Sequence, residues 1–287
     1  MRKIYLSLLF GAFLLVMAGC GDKEKIMVIN TPYGSMKALL YEETPLHKAN
    51  FLKLVENGSY DSTLFHRVIE GFMIQGGDVN AKKGVQEKIT YTIPAEFVPQ
   101  FFHKKGALAA ARMGDDVNPK KESSGCQFYI VQGKIFTEED LKQQINNTRE
   151  YGVQDQFRKL LGMPEYLELR KQIIAWQESN NGDSIMAKIE EMKPLMAEKF
   201  GPVRNLSFND TQKQVYAEVG GAPHLDGEYT VFGQVVEGLA VIDSIAAVQK
   251  NPMDKPLTDL YITVEIEEIS KKEVTKKYGY VYPEVKK

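Results

Sequence analysis

The residues best suited to chemistry lie in one stretch, residues 65–78, which reads FHRVIEGFMIQGGD. The bulky and β-branched side chains of residues 65–69 predict a short strand, Glu70-Gly71 a turn, and residues 72–75 a second strand. Alternation along a strand gives it two faces. The groups predicted to share a face are Phe65 with Arg67 and Ile69, Phe72 with Ile74, and Met73 with Gln75.

An arginine close to a Phe, a Met and a Gln creates a surface that is partly apolar and partly hydrogen-bonding. Such a surface suits a bound apolar residue that has an amide group beside it. The alternative is a hairpin that belongs to the core, with one arginine whose stem packs on apolar neighbours while its head reaches water. The spacing alone is compatible with both interpretations.

The first residues of the chain predict a targeting segment. Arg2 and Lys3 form a basic start, and residues 4–16 are almost entirely apolar. This apolar run is shorter than the roughly 20 residues that span a bilayer, so residues 1–19 are predicted to be a signal peptide. The sequence VMAGC resembles a bacterial lipobox and ends at Cys20, the expected lipidation site. The alternatives are an ordinary signal peptide cut at Ala18-Gly19 and an uncleaved anchor.

Lipidation of Cys20 would hold the protein on a membrane, because each buried methylene group contributes about 0.8 kcal/mol. Residues 20–25 are then a polar tether. The expected location is the bacterial cell envelope, on the exported side, either periplasmic or at the surface.

Composition limits the other classes of function. The net charge is −2 over 287 residues, so nucleic acid is not an expected partner. The only other cysteine, Cys126, has no partner for a disulfide and is predicted to pack as a small apolar residue. The four histidines are scattered without the spacing of a metal site. We expect no metal, no cofactor and a monomer.

The strand pattern is interrupted once. Residues 26–136 and 208–270 read as short strands with a few helices, whereas residues 137–207 are rich in charged helix formers. Thr137 is a suitable helix cap, residues 164–177 predict a second helix, and residues 185–200 a third that is strained or broken near Pro194. We therefore predict a helical insertion in a β domain, followed by a charged tail, residues 271–287, without periodicity.

The stretch at residues 65–78 resembles the signature of the cyclophilins, which are peptidyl-prolyl cis-trans isomerases. The only departure is Glu70, where many members have proline. Residues 106–112, 125–130 and 224–234 also resemble the cyclophilin pattern, on both sides of the insertion. The resemblance implies a mainly β fold: a closed, eight-stranded antiparallel barrel capped by two helices, here with an α-helical insertion.

The resemblance also implies site residues. Arg67 would be the catalytic cation. The residues implied in substrate binding are Phe72, Met73, Gln75, Ala111, Arg112, Gln127, Tyr129, His224, Leu225 and Tyr229. Among them, Phe72, Met73 and Leu225 would line a proline pocket, and Gln75 and Gln127 would hydrogen-bond the substrate backbone. Ala111 and Arg112 would hold the peptide by main-chain bonds, with no side-chain role for Arg112, and Tyr129 would close the pocket floor.

The resemblance implies isomerisation of X-Pro bonds in exported, folding polypeptides. His224 and Tyr229 stand where the best-known eukaryotic members have Trp and His, which argues against strong cyclosporin binding. The rival hypothesis is a chaperone or adaptor that only binds proline-containing segments and uses its helical insertion to contact a partner.

Overall fold

The computed structural model describes residues 23–85 and 87–282. The predicted signal peptide and Cys20 lie outside the described residues. Residues 26–267 form one compact unit, and residues 23–25 and 268–282 belong to a second. No helix in the described ranges is long and apolar enough to cross a membrane.

Ten strands occur in the described chain. They are β1 (Lys23–Thr31), β2 (Gly34–Leu40), β3 (Thr63–Ile69), β4 (Met73–Gly76), β5 (Thr92–Ile93), β6 (Ala107–Ala110), β7 (Ser123–Ser124), β8 (Phe128–Val131), β9 (Val231–Glu237) and β10 (Tyr261–Ser270). Eight of them close into a barrel in the order β1-β10-β3-β4-β8-β6-β9-β2, while β5 pairs with β7. Every described pairing is antiparallel. The predicted closed eight-stranded barrel is confirmed.

Two helices, α1 (Pro45–Glu56) and α6 (Leu239–Ala246), pack on the barrel. Phe51 of α1 and Ile242 of α6 are buried in the same apolar cluster as the inward-facing strand residues. Full burial of such a side chain contributes about 1.5–3 kcal/mol, so the barrel and its two helices share one core. The predicted capping by two helices is confirmed.

The β3–β4 hairpin does not follow simple alternation. Its pairing shifts register between Phe65 and Arg67, and such a bulge turns the side chains that follow toward the other face. Phe65 is therefore buried in the core with Val68, whereas the Arg67 side chain is 44% exposed. Phe72 lies in the turn before β4 and does not share the core face of Ile74. The predictions that Phe65 shares a face with Arg67, and that Phe72 shares a face with Ile74, were therefore wrong.

Between β8 and β9 the chain forms four helices, α2 (Glu138–Gly162), α3 (Leu167–Glu178), α4 (Gly182–Phe200) and α5 (Asp210–Glu218). Thr137 caps α2 through a reciprocal pair of hydrogen bonds with Asp140. Helices α2, α3 and α4 bury an apolar cluster of their own, against which Trp176 packs. The bounds 137–207 for the insertion remain a prediction, although α2, α3 and α4 fall within them.

Two details of these helices differ from the sequence predictions. Pro164 begins a single 3₁₀ turn, and α3 starts only at Leu167. Helix α4 runs unbroken through Pro194 and begins at Gly182, where Asn181 caps it. An internal proline costs about 3 kcal/mol. Here Ile189 and Met196, on either side of Pro194, are buried in the cluster shared with α2 and α3, and that packing offsets the cost.

The two ends of the helical region are joined directly. Lys134, where the chain leaves β8, pairs with Gly221, where it returns, through N–H to O distances of 3.2 and 3.0 Å. The Ala222 N–H also donates to the His103 carbonyl at 2.7 Å. Because its two ends are adjacent, the helical region can be inserted between β8 and β9 without separating the strands of the barrel.

This junction requires glycine, which gives a first prediction. Gly133 has φ +67°, and a Cβ built on it would lie 2.3 Å from the Gly221 Cα. We expect Gly133→Ala to lower the free energy of unfolding by about 1–3 kcal/mol, because it adds backbone strain to a contact that cannot relax. Denaturant unfolding measures this loss. Gly162→Ala is the control: it has open space and an ordinary φ, so it should be neutral or stabilising.

The smaller unit corrects two predictions at the ends of the chain. Lys23–Lys25 belong to strand β1 and not to a tether. The charged tail, in which the sequence showed no periodicity, contains α7 (Lys271–Tyr278), which begins with a capping box between Ser270 and Glu273 and ends at Gly279. The sequence signal for this helix is its short polar capping box and not apolar periodicity.

Candidate active site

Three predicted site residues form a row across neighbouring strands. Arg67 of β3 lies opposite Gln75 of β4, and Gln75 lies opposite Tyr129 of β8. Directly opposed side chains on one face of an antiparallel sheet are about 4.5–5.5 Å apart at Cβ. The barrel register therefore brings together a cation, an amide and an aromatic ring that are far apart in the sequence.

This row forms one wall of a cavity of about 260 Å³. Nine predicted residues line the cavity: Arg67, Phe72, Met73, Gln75, Ala111, Arg112, Tyr129, Leu225 and Tyr229. The sharing of a face by Met73 and Gln75 is as predicted. The volume and the mixed lining, with six apolar or aromatic residues and three polar ones, suit one small ring-shaped side chain with its neighbouring amides.

The other two predicted residues touch this set. Gln75 Nε2 donates to Gln127 Oε1 at 3.0 Å. In this arrangement Gln75 Oε1 can still accept and Gln127 Nε2 can still donate, so the pair offers both kinds of group to a peptide. The His224 ring lies 5.1 Å from the Phe72 ring, between centroids. Burial lowers the pKa of His224 to about 4, so the ring is neutral at pH 7.

Arg67 is the cation with the least compensation at the cavity. Its Nε lies 3.9 Å from Asp254 Oδ2, which is a long and partly exposed contact. Within the described residues its guanidinium makes no hydrogen bond to protein. The Asp254 carbonyl accepts from the Val68 N–H at 2.8 Å and ties this loop to β3. The Arg67 donors are therefore free to face a bound molecule.

Arg112 differs from its expected role, because its side chain is a structural element of the site. Its Nε donates to the Glu228 carbonyl at 2.8 Å and its Nη1 to Asp115 Oδ1 at 2.6 Å. The side chain is 4% exposed, and its Cζ lies 4.5 Å from the centre of the Tyr229 ring. The hydrogen bonds hold the guanidinium in place, and its cation–π interaction in turn fixes the Tyr229 ring. The expectation of a main-chain role alone was incomplete.

The main chain here also differs from the expectation for Ala111. The Ala111 N–H donates to the Gln127 carbonyl at 3.0 Å, and its carbonyl accepts from the Ser124 N–H at 2.8 Å. No such backbone bond occupies Arg112 within the described chain. The Arg112 main chain is therefore the one of the two that remains available for hydrogen bonds, while Ala111 supplies a small, buried wall.

A buried hydrogen-bonded network lies behind the cavity floor. His103, which is fully buried, places Nδ1 2.9 Å from Asp226 Oδ1 and Nε2 2.9 Å from the Tyr129 hydroxyl. Since a carboxylate only accepts, Nδ1 carries the proton, and in the neutral ring Nε2 accepts from Tyr129. Tyr216 of α5 donates to Asp226 Oδ2 at 2.6 Å. Burial raises the pKa of Tyr129, which keeps its hydroxyl protonated.

A second prediction concerns this floor. Tyr129→Phe keeps the ring but leaves His103 Nε2 buried without a partner. We expect a loss of about 1–3 kcal/mol in the free energy of unfolding, with kcat/KM changed less than about threefold. Thermal unfolding and a peptide isomerisation assay measure the two effects. A large fall in kcat/KM at unchanged stability would contradict a purely supporting role for the hydroxyl.

The family comparison agrees with this geometry. The family model described as "Cyclophilin type peptidyl-prolyl cis-trans isomerase/CLD" matches residues 26–151 and 199–266, which together exceed half of the chain. The chain belongs to this cyclophilin-type family. It is a peptidyl-prolyl cis-trans isomerase acting on X-Pro bonds, and the predicted enzyme class is confirmed. The residues between the two matched segments, 152–198, lie inside the predicted insertion.

Two curated sequence relatives support the same assignment. A "Putative peptidyl-prolyl cis-trans isomerase" of Staphylococcus saprophyticus is 31% identical over 252 residues, 86% of this chain and 94% of that protein. A "Putative bifunctional phosphatase/peptidyl-prolyl cis-trans isomerase" of Streptococcus pyogenes is 31% identical over 245 residues, 84% of this chain but only 38% of that longer protein. A crystal structure of a Cryptosporidium parvum cyclophilin-type isomerase covers 85% of this chain and 98% of its own, with 20% identity and a TM-score of 0.49.

Three residues of this cyclophilin site were missed by sequence reasoning: His103, Asp226 and Asp254. Asp226 lies inside a segment that resembles the family pattern, so its position carried some signal. His103 precedes Asp226 by 123 residues, and no spacing rule links them. Asp254 is brought to Arg67 only by the loop before β10.

Proposed function

We propose that this isomerase acts by stabilising the twisted amide with Arg67. The observation that supports this most directly is the position of Arg67, whose guanidinium has only the long contact with Asp254 and lies at the proline-sized cavity, next to the Gln75–Gln127 pair. The X-Pro bond resists rotation by ~18–20 kcal/mol because of amide resonance. When the bond twists, resonance is lost and the lone pair localises on the proline nitrogen. A nearby cation favours that state over the planar one.

In this proposal the rest of the site fixes one side of the bond while the other side turns. Phe72, Met73 and Leu225 hold the proline ring, and Tyr129 closes the floor. The Gln75–Gln127 pair and the Arg112 main chain hold the adjoining peptide. The cavity walls reduce water around the reacting amide, which strengthens the interaction with Arg67.

We further propose that the substrates are exported proteins as they fold and that Cys20 anchors the enzyme to the envelope membrane. Uncatalysed X-Pro isomerisation takes tens to hundreds of seconds and limits the folding of many chains. The support is the signal-like and lipobox-like sequence at residues 1–20. Labelling cells with a radioactive fatty acid tests the anchor: the full chain should incorporate label and Cys20→Ser should not.

The experiment that tests the function measures two activities of the purified protein without residues 1–19, the predicted signal peptide. It should accelerate isomerisation of an Ala-Pro peptide and the refolding of a protein whose slow phase is set by a proline. A rate equal to buffer in both assays would refute catalysis by this site.

The second candidate, a binding module, is favoured by the separate core of α2, α3 and α4, which gives the helices a rigid surface of their own. Arg67→Ala distinguishes the two. A binding module would retain its ability to suppress aggregation of an unfolded protein, whereas an isomerase would lose its acceleration of proline-limited refolding.

A further inference from the structure

A second concave surface adjoins the cavity just described. It is a cleft of about 420 Å³, which we call the insertion cleft. One wall is formed by Thr148, Tyr151 and Asp155 of α2, and another by the segment at residues 202–204. The family match ends within α2 at residue 151 and resumes at residue 199, so Asp155 and the following part of α2 lie outside the matched segments.

The insertion cleft and the cavity share their boundary. Arg112, Leu225 and Tyr229 line both. His224 lines the cleft, while its ring packs on Phe72 of the cavity. A polypeptide that places its proline in the cavity therefore has this cleft directly alongside.

The charges around the insertion cleft are largely satisfied by one another. Arg112 pairs with Asp115, and Lys159 pairs with Asp155 at 2.7 Å. Glu228 lies 3.2 Å from the Arg204 Nε and also pairs with Lys121. Because these ions are already paired, the cleft does not select strongly for a charged ligand.

The apolar surface that remains is substantial and held in place. Tyr151 is 66% exposed although it lies on the cleft wall. Gly152 allows α2 to approach the facing segment closely: a Cβ added to it would meet Val203 Cγ1 at 2.4 Å. The wall is therefore positioned before any ligand arrives, which lowers the ordering cost of binding.

We propose that the insertion cleft is a second substrate subsite, which binds an apolar or aromatic side chain of the same polypeptide near its proline. The inference rests on the proposed function, since it assigns the cavity to the proline. The insertion would then select among X-Pro bonds by their flanking residues, a choice that the small cavity alone cannot make.

The test uses three peptides with one Ala-Pro core: a short peptide, a peptide extended with serines, and a peptide extended with serines and one phenylalanine whose position is varied. With the wild-type protein, the phenylalanine at its best position should raise kcat/KM roughly tenfold over the serine peptide, mainly through KM. Tyr151→Ala should remove most of this gain and leave the short peptide unaffected.

Tyr33→Ala is the matched control, because Tyr33 is also an exposed tyrosine, at 47%, and lines neither the cavity nor the cleft. It should behave as wild type with all three peptides. Equal kcat/KM for the phenylalanine and serine peptides at every position would overturn the subsite. Equal losses in the two tyrosine variants would also overturn it. Failure of the wild type to isomerise even the short peptide would instead count against the proposed function.

Discussion

Replacing Arg67 by alanine is expected to lower kcat/KM for an Ala-Pro peptide by about 10²- to 10³-fold. The size follows from removing a preorganised donor whose interaction strengthens in the transition state. The fold should be unaffected: the side chain is 44% exposed, and surface substitutions usually change stability by less than about 0.5 kcal/mol. Exchange NMR on the peptide and thermal unfolding of the variant measure the two quantities.

Two further variants separate charge from geometry at this position. Arg67→Lys keeps the charge but loses the planar fork of donors, so it should recover only part of the rate. Asp254→Asn removes the 3.9 Å partner, and because an exposed pair contributes only ~0.2–1 kcal/mol, kcat/KM should change less than about fivefold. If Arg67→Ala retained most of the wild-type rate, twisted-amide stabilisation by this cation would be refuted.

Much of the candidate site was predictable because its chemistry is concentrated in short local segments. Arg67, Met73 and Gln75 lie within one hairpin, and strand alternation alone predicts that the last two share a face. Leu225 and Tyr229 come from another short segment with its own pattern. Such segments can be recognised in the sequence even when a long helical region separates them.

The features that could not be predicted depend on pairing between distant parts of the chain. The bulge between Phe65 and Arg67 is set by how β3 meets β4, and it reverses the face that a simple count assigns. The junction of Lys134 with Gly221 and the continuity of α4 through Pro194 depend on tertiary contacts that outweigh local preference. The same holds for the network behind Tyr129, whose members come from three separate regions.

That network gives the second large prediction, in which Asp226→Ala should lower the free energy of unfolding by about 3–5 kcal/mol. Three donors lose their acceptor at once: the His103 N–H at 2.9 Å, His103 Nδ1 at 2.9 Å and the Tyr216 hydroxyl at 2.6 Å. Removing one member of a buried, charged group leaves the others unpaired in a low-dielectric site. For a domain of this size the loss corresponds to a fall in Tm of about 6–20 °C.

The matched control is Asp243→Ala, which removes a carboxylate that also has two side-chain partners, Lys105 and Gln132, but is 45% exposed. Water replaces those partners, so the expected cost is below about 1 kcal/mol. Well below its Tm, Asp226→Ala should keep kcat/KM within about threefold of wild type, as expected for Tyr129→Phe, because the network supports the cavity floor and does not contact the reacting amide. Equal stability losses in the two aspartate variants would show that the network does not support the cavity floor. A large loss for Asp226→Ala alone would show that the barrel, α5 and the proline cavity are stabilised by one buried carboxylate.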